Sequence, residues 1–383
     1  MRAWALLLVS LALGACALAP PAPESGRFFA DSLFRAPSED VDAGKVFAVS
    51  EAMKAYLATE VAGMSRSRGL QRGLIEALRD KDRLQLEYDA AFTRNAAEAF
   101  EARTGNCLSL VIMTASLARE LGIGVRYQNV VVDETWSRRG DLYFSIGHVN
   151  LTLGRKAPEL GTRIHEGEQL TVDFLPPPDL RGILWRVLEE KTIVAMYMNN
   201  RAAESLASGK ADDAYWFARE AVRQDPQFMT PYNTLGVIYQ RRGHLEEAAR
   251  IFAYVLDREP RNTHVMSNLA PVLASLGRVA ESRALESRLA QLEPDPPFAF
   301  FNKGVVAMRE GDFRAARDLF AREIDRDPYY HEFHFWLALA LAKLGETERA
   351  KRHLALAMQN STTRNDHDLY AAKLDRIRTV RLQ

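Results

Sequence analysis

The sequence predicts an α+β domain followed by an all-α solenoid of helical hairpins. Proline recurs every 34 residues near the C-terminal end, at Pro226, Pro260, Pro294 and Pro328, which is a period of stacked helix-turn-helix units. Residues 86–178 instead combine a long apolar helix with segments in which apolar and polar residues alternate, as they do in strands. The 383 residues are enough to form a core in each part.

The overall charge gives no reason to expect a nucleic-acid partner. Lys plus Arg and Asp plus Glu each total 50, so the formal net charge is zero. Nucleic-acid-binding domains usually carry an excess of positive charge on one face. We therefore predict no nucleic-acid partner.

The first 15 residues have the pattern of an export signal. Arg2 precedes an apolar run over residues 3–13 that is too short to span a bilayer. The run ends in Leu-Gly-Ala-Cys16, which resembles the lipobox of bacterial lipoprotein signals. The resemblance implies cleavage before Cys16, its acylation, and a lipid anchor facing the periplasm, at the outer membrane because Ala17 is not Asp. An ordinary secretory signal cut nearby is the alternative.

The rest of the chain divides by composition. Residues 16–27 form a proline-rich tether, residues 28–85 a helical N-terminal segment, and residues 86–178 the α+β domain. A linking helix over residues 179–194, five repeats over residues 195–362 and a helical tail over residues 363–383 are predicted to follow.

Within the α+β domain, a helix over residues 91–103 is interrupted at Thr104-Gly105-Asn106. The next helix, from Cys107 to Leu121, is apolar almost all round and is predicted to be buried. Strands are predicted at residues 125–132, 148–153 and 170–174, with a polar loop at residues 133–141.

Three side chains in this domain suggest nucleophilic chemistry. Cys107 is predicted at a helix N-terminus, whose positive partial charge stabilises a thiolate. His148 and Asp173 lie on separate predicted strands, each on the polar side of an alternating pattern. If those strands are antiparallel neighbours, the imidazole and the carboxylate meet on one face of the sheet. A buried, inert thiol is the alternative for Cys107.

The order of these motifs resembles the transglutaminase-like superfamily, which has a papain-like fold. The resemblance covers roughly residues 86–174 and implies that Cys107 is the nucleophile, His148 the base and acid, and Asp173 the carboxylate that orients His148. It also implies acyl transfer from an amide to an amine or water, without a cofactor. The residues after His148 and Asp173 depart from the family pattern, notably Val149 and Asn150.

The repeats resemble tetratricopeptide (TPR) units. One unit carries the family residues at their fixed offsets, in the order Tyr232, Leu235, Gly236, Tyr239, Ala248, Phe252 and Pro260. Such arrays bind proteins or peptides on a concave surface.

No spacing of ligand residues suggests a metal site, so we predict no bound metal. Two functions remain open. The first is a membrane-anchored, thiol-dependent amide hydrolase or acyl transferase to which the repeats recruit substrate. The alternative is a non-catalytic lipoprotein adaptor that binds proteins through its repeats.

Overall fold

The computed structural model describes residues 25–63, 69–79, 84, 86–139, 142–154, 169–174 and 184–379, and only the backbone of residues 130–139, 142–147, 184 and 377–379. The predicted signal, Cys16 and most of the tether lie outside the described residues. Among the described residues, no helix combines the length and the apolar content that crossing a bilayer requires.

Short helices form the N-terminal segment. Three 3₁₀ turns at Ser25–Phe28, Asp31–Leu33 and Ala43–Lys45 precede helix α1, Glu51–Tyr56, which continues as a π turn over Leu57–Val61. Helix α2 spans Leu70–Arg79. The helical periodicity of the sequence begins at residue 46, but α1 starts only at residue 51 because the Ser50 side chain accepts a hydrogen bond from the Met53 backbone N–H and caps it there.

A buried helix is the centre of the α+β domain. Helix α3, Ala96–Ala102, leads through strand β2, Thr104–Gly105, into helix α4, Cys107–Glu120. Strand β2 pairs in parallel with β1, Glu87–Tyr88. All residues of α4 from Cys107 to Ala118 are buried, as its continuous apolar character predicts.

An antiparallel sheet of four strands packs on α4. Its strands are β3, Gly124–Arg139, β4, Leu142–Gly154, β5, Leu170–Val172, and β6, Leu184–Leu188, in the spatial order β5-β4-β3-β6. The apolar side chains of β4, at Val149, Leu151 and Leu153, join the same core as α4. His148, Asn150 and Thr152 alternate with them on the other face and are also buried.

Three further elements differ from the sequence prediction. The helix predicted over residues 91–103 begins only at Ala96, because the Asn95 side chain accepts from the Glu98 backbone N–H and caps it there. The polar loop expected at residues 133–141 is instead strand up to Arg139. Pairing between β3 and β4 is irregular between Val130 and Thr135, but it continues in a shifted register from Thr135 to Arg139. The linking helix expected at residues 179–194 contains β6 instead, which pairs with β3. Trp185 and Val187 favour strand conformation, and hydrogen bonding to the free edge of β3 stabilises this segment as a strand rather than a helix.

Five helical hairpins follow, which we number as units 1 to 5. Their helices are α5 Glu190–Ala207, α6 Ala211–Gln224, α7 Thr230–Arg241, α8 Leu245–Arg258, α9 Thr263–Ser275, α10 Val279–Leu292, α11 Ala299–Glu310, α12 Phe313–Arg326, α13 His331–Lys343 and α14 Thr347–Gln359, and α15 Arg364–Thr379 completes the chain. A glycine with φ between 77° and 82° ends the first helix of each unit, at Gly209, Gly243, Gly277, Gly311 and Gly345.

Close helix pairing in two of the units depends on a glycine facing a phenylalanine. A Cβ atom on Gly236 would lie 2.5 Å from the Phe252 ring, and one on Gly304 would lie 2.6 Å from the Phe320 ring. Since real Cβ atoms do not approach this closely, a larger residue would force the two helices of a unit apart.

The stack is interrupted between units 3 and 4, where a continuous five-unit array was predicted. One core extends from Phe28 to Leu273 and a second one begins at Phe298. Helix α10 buries only Ser282. Position 286 holds Glu where the neighbouring units place Phe252 and Phe320, so α10 lacks the ring that would fill this layer.

Residues 25–40, which we call the N-terminal strap, pack against units 1 and 2. Phe34 stacks on the Tyr215 ring with centroids 3.9 Å apart. The Ser38 backbone N–H and hydroxyl both donate to the Asp213 carboxylate, at 2.6 and 2.7 Å. The strap therefore joins the N-terminal segment to the repeats in one continuous core.

Tyr239→Phe is expected to lower the free energy of unfolding by about 1–3 kcal/mol, because it leaves two backbone groups of the strap unpaired. The Tyr239 hydroxyl accepts from the Ala30 N–H at 3.0 Å and donates to the Phe28 carbonyl at 2.9 Å. Urea unfolding measures the change. Tyr329→Phe, at a residue that is 61% exposed, is the control and should change stability by less than about 0.5 kcal/mol. Equal effects of the two substitutions would contradict this role of Tyr239.

Acid is expected to destabilise unit 5. Burial, His334, Arg349 and Arg352 together lower the pKa of His353 from 6.5 to about 4, and the Nδ1 atoms of His353 and His334 lie 3.0 Å apart. Because the folded pKa is below the unfolded one, this stability is fully present above pH 6.5 and is lost as pH falls towards 4. After discounting for the half-exposed ring we expect a loss of about 1–2 kcal/mol.

Unfolding measured between pH 7 and pH 4 tests this expectation. The variant His353→Gln keeps a hydrogen-bonding side chain and should lose most of the pH dependence. His331, whose pKa burial also lowers, contributes in the same direction. An unchanged slope in His353→Gln would show that other groups are responsible.

Candidate functional site

The N-terminus of α4 is built to hold Cys107 in place. The Asn106 side chain caps the helix by accepting from the Ser109 N–H at 2.9 Å, and its amide donates to the Thr93 hydroxyl at 2.8 Å. Gly105 fits only because it has no side chain, since a Cβ there would lie 2.7 Å from the Ser109 Cβ atom.

The imidazole and the carboxylate meet as the sequence predicts. Strands β4 and β5 are antiparallel neighbours, with Leu151 opposite Val172 and Thr152 opposite Thr171. His148 Nε2 lies 2.8 Å from an Asp173 carboxylate oxygen. The Asn150 amide donates to the same oxygen at 3.1 Å. Asp173 therefore orients His148, and Asn150 in turn orients Asp173.

Cys107 lies against β4 at the residue that follows His148. The backbone N–H groups of Val149 and Leu108 point towards its sulfur and act to lower its pKa. Within the described part of the chain, however, the thiol and the His148 imidazole make no hydrogen bond with each other. The three predicted residues are thus brought into one region, where His148 is hydrogen-bonded to Asp173 but not to Cys107.

The electrostatic environment of Cys107 differs from the expected one. Desolvation raises the pKa of the thiol above its ordinary value of 9.0, and the nearby Asp173 carboxylate acts in the same direction. Together these effects outweigh the backbone N–H groups at the helix start. The thiolate that the helix N-terminus was predicted to stabilise is therefore disfavoured, and the residue is only 8% exposed.

Sequence reasoning missed two residues of this region. Asn150 was placed on the same side of the strand as His148 and noted as a departure from the family pattern, but its hydrogen bond to Asp173 was not predicted. Burial strongly raises the pKa of Tyr88, and the Cys107 sulfur acts in the same direction, which places the phenol near the thiol. Tyr88 carried no sequence signal, because β1 is only two residues long.

The loop of residues 89–94 connects this region to both ends of the repeat array. The Thr93 N–H donates to the Glu204 carboxylate of unit 1 at 2.8 Å. The Ala90 N–H donates to the Thr362 carbonyl, just after unit 5, at 3.0 Å. The candidate thiol region therefore lies where the first and last units of the array both contact one loop.

A second candidate site is the inner surface of the repeats. The first helix of unit 2 contacts the first helices of units 1 and 3, which places these helices on the concave side of the stack. A row of half-buried polar side chains runs across them. The Thr234 hydroxyl donates to Asn199 at 2.7 Å, and the Asn268 amide donates to Asn233 at 3.0 Å. No group of three or more metal-binding side chains occurs among the described residues.

The comparisons with known proteins concern the repeats. The family model described as Tetratricopeptide repeat matches residues 233–297 and 301–360. The C-terminal region is a tetratricopeptide repeat solenoid. The gap between the two matched segments, at residues 298–300, coincides with the interruption between units 3 and 4.

A curated relative and several solved structures also match. The TPR repeat-containing protein PA4667 of Pseudomonas aeruginosa is 26% identical over 128 residues, which are 33% of this chain and 22% of that protein. This chain therefore matches about a fifth of its relative's length. Solved TPR structures include TTC0263 from Thermus thermophilus, at 17% identity, TM-score 0.31 and coverage of 47% of this chain and 98% of that one. MamA from Desulfovibrio magneticus is 17% identical with TM-score 0.26, and covers 45% and 96% respectively.

Proposed function

We propose that this protein is an adaptor whose repeat solenoid holds an extended segment of a partner protein on its inner surface. The observation that carries the proposal is the row of Asn199, Thr234, Asn233 and Asn268 across three consecutive first helices. Tetratricopeptide proteins bind peptide or protein partners, and the matched repeats cover the second and third of these helices.

The chemistry of this row suits a peptide backbone. An amide side chain offers two donors and an acceptor, and a hydroxyl offers one donor and two lone pairs. Each of these groups uses only part of that capacity within the row, so the remainder is available to the N–H and C=O groups of an extended peptide. Recognition of this kind fixes the path of the peptide, while neighbouring side chains select its sequence.

The location of the adaptor is the second part of the proposal. Acylation of Cys16 would tether the strap to a membrane through the proline-rich segment, facing the periplasm and at the outer membrane. Stable anchoring takes more than one acyl chain, which a lipidated N-terminal cysteine supplies. The mass of the N-terminal peptide of the mature protein tests this part, and an unmodified Cys16 would exclude it.

Site-specific crosslinking tests the binding surface. A photoreactive amino acid placed at Asn233 is expected to capture one partner in cells, whereas the same group at Ser287, exposed on the second helix of unit 3, is the control and should not. The captured protein is then purified and its affinity measured directly. Crosslinks of equal yield at Ser287, or a purified candidate that fails to bind, would contradict the proposal.

A second candidate function is thiol-dependent acyl transfer, and the convergence of Cys107, His148 and Asp173 supports it. In this reaction His148 would take the proton of the Cys107 thiol as the sulfur attacks an amide carbonyl. The C–N bond would then break as His148 passes that proton to the departing amine. Water or another amine would then cleave the thioester. The buried thiol with its raised pKa requires the region to open first. Amide-dependent incorporation of a fluorescent primary amine that Cys107→Ala abolishes would support this candidate, and incorporation that persists in Cys107→Ala would exclude it.

A further inference from the structure

An arginine-lined pocket lies where the strap meets unit 2, and neither proposed function uses it. Its volume is about 430 Å³, and its lining comprises Arg27, Phe28, Arg250, Tyr254, Asp257 and Arg258. We call it the arginine pocket. We propose that it binds the phosphate headgroup of an anionic phospholipid and so holds unit 2 against the membrane surface.

The charge of the pocket is the first observation. Three guanidinium groups and one carboxylate line it, which leaves an excess of two positive charges. Arg258 lies 3.5 Å from the Asp257 carboxylate. Arg27 and Arg250 make no ion pair with any described carboxylate. Guanidinium groups bind phosphate oxygens through paired N–H donors, so two such groups in one pocket suit a phosphate.

The rigidity of the pocket is the second observation. The guanidinium carbons of Arg27 and Arg258 lie 5.2 and 3.7 Å from the centroid of the Tyr254 ring. Tyr254 is itself buried and packs on Phe28, with ring centroids 4.6 Å apart. The aromatic pair therefore holds the side chains of Arg27 and Arg258 in place. Because these side chains are already ordered, they lose less conformational entropy when a ligand binds.

The position of the pocket indicates a lipid rather than a soluble phosphate. Arg27 follows Cys16 by 11 residues, and a fully extended chain of that length spans at most roughly 40 Å. This step rests on the proposed acylation of Cys16. If that cysteine is anchored, the arginine pocket cannot move farther than this from the headgroups, and its positive charge is drawn towards anionic ones.

Binding to vesicles tests the proposal. A chain that begins at Ala17 retains every residue that the structure describes and has no acyl group. It is expected to bind phosphatidylglycerol vesicles and not phosphatidylcholine vesicles. The triple variant Arg27→Gln, Arg250→Gln, Arg258→Gln should weaken this binding about a hundredfold. Each arginine near the membrane surface is expected to contribute roughly a fivefold increase in affinity, and the three contributions multiply.

The control variant is Arg283→Gln, Arg309→Gln, Arg314→Gln, which removes three exposed arginines outside the pocket and so changes the net charge equally. It should weaken binding by less than about threefold. Equal losses in the two triple variants, or equal binding to both kinds of vesicle, would overturn the proposal. Binding of inorganic phosphate without vesicle binding would overturn it as well and assign the pocket to a soluble phosphate. Because the chain lacks Cys16, these results are independent of whether that residue is acylated.

Discussion

Replacing Phe320 with alanine is expected to lower the free energy of unfolding of units 4 and 5 by about 3–5 kcal/mol. The ring is fully buried in the smaller of the two cores and fills the space opposite Gly304. Because this core is separate from the one that contains Phe28 and Leu273, the loss should be confined to the C-terminal units. Denaturant unfolding followed by hydrogen exchange, resolved by peptide, measures both the size and the location of the effect.

The control for this substitution is Val306→Ala on α11, where the side chain is 49% exposed. It should change stability by no more than about 0.5 kcal/mol. Hydrogen exchange that accelerates equally in units 1 to 3 of the Phe320→Ala protein would show that the solenoid is one cooperative block. That outcome would contradict the separation of the two cores.

The second large effect concerns the reactivity of Cys107. At pH 7 we expect iodoacetamide to modify it at least about 100-fold more slowly than an exposed thiol, because a buried thiol with a raised pKa is neither accessible nor ionised. Ser287→Cys combined with Cys107→Ala supplies the exposed reference thiol on α10. The rate for Cys107 should rise in mild urea and at alkaline pH.

The raised pKa of the Cys107 thiol also affects the stability of the fold. The folded pKa of the thiol lies above the unfolded one, so its burial favours folding below pH 9.0 and this contribution is lost as pH rises. Labelling of Cys107 at pH 7 that is as fast as, or faster than, that of the reference thiol would mean that the thiolate is stabilised. That result would favour acyl transfer over the adaptor.

The sequence predicted local features best. Periodic prolines locate the helical hairpins because each hairpin packs mainly on itself and its neighbour. Alternation along two segments was enough to place His148 and Asp173 on one face, and antiparallel pairing brought them together. The N-terminus of α4 at Cys107 followed from the break at residues 104–106.

The sequence predicted less well where distant parts of the chain compete. Burial of Cys107 depends on how β4 packs over the helix start, which no local pattern contains, so the direction of its pKa shift was predicted wrongly. Strand β6 was predicted as helix because its pairing partner lies about 60 residues earlier in the chain. The interruption after unit 3 did leave a signal in the sequence, since Glu286 occupies the position of Phe252 and Phe320 in the neighbouring units. The consequence of this one polar residue can be recognised only when it is known which helices pack together.

The most direct test of the adaptor compares two changes in one binding measurement. The affinity of the purified partner identified at Asn233 is measured for the unchanged protein, for Cys107→Ala, and for Asn233→Ala combined with Asn268→Ala. We predict that loss of the two amides weakens binding at least about tenfold, from roughly 1 kcal/mol for each neutral hydrogen bond, while Cys107→Ala stays within twofold. Tight binding by the double variant, together with loss of binding in Cys107→Ala, would contradict the account.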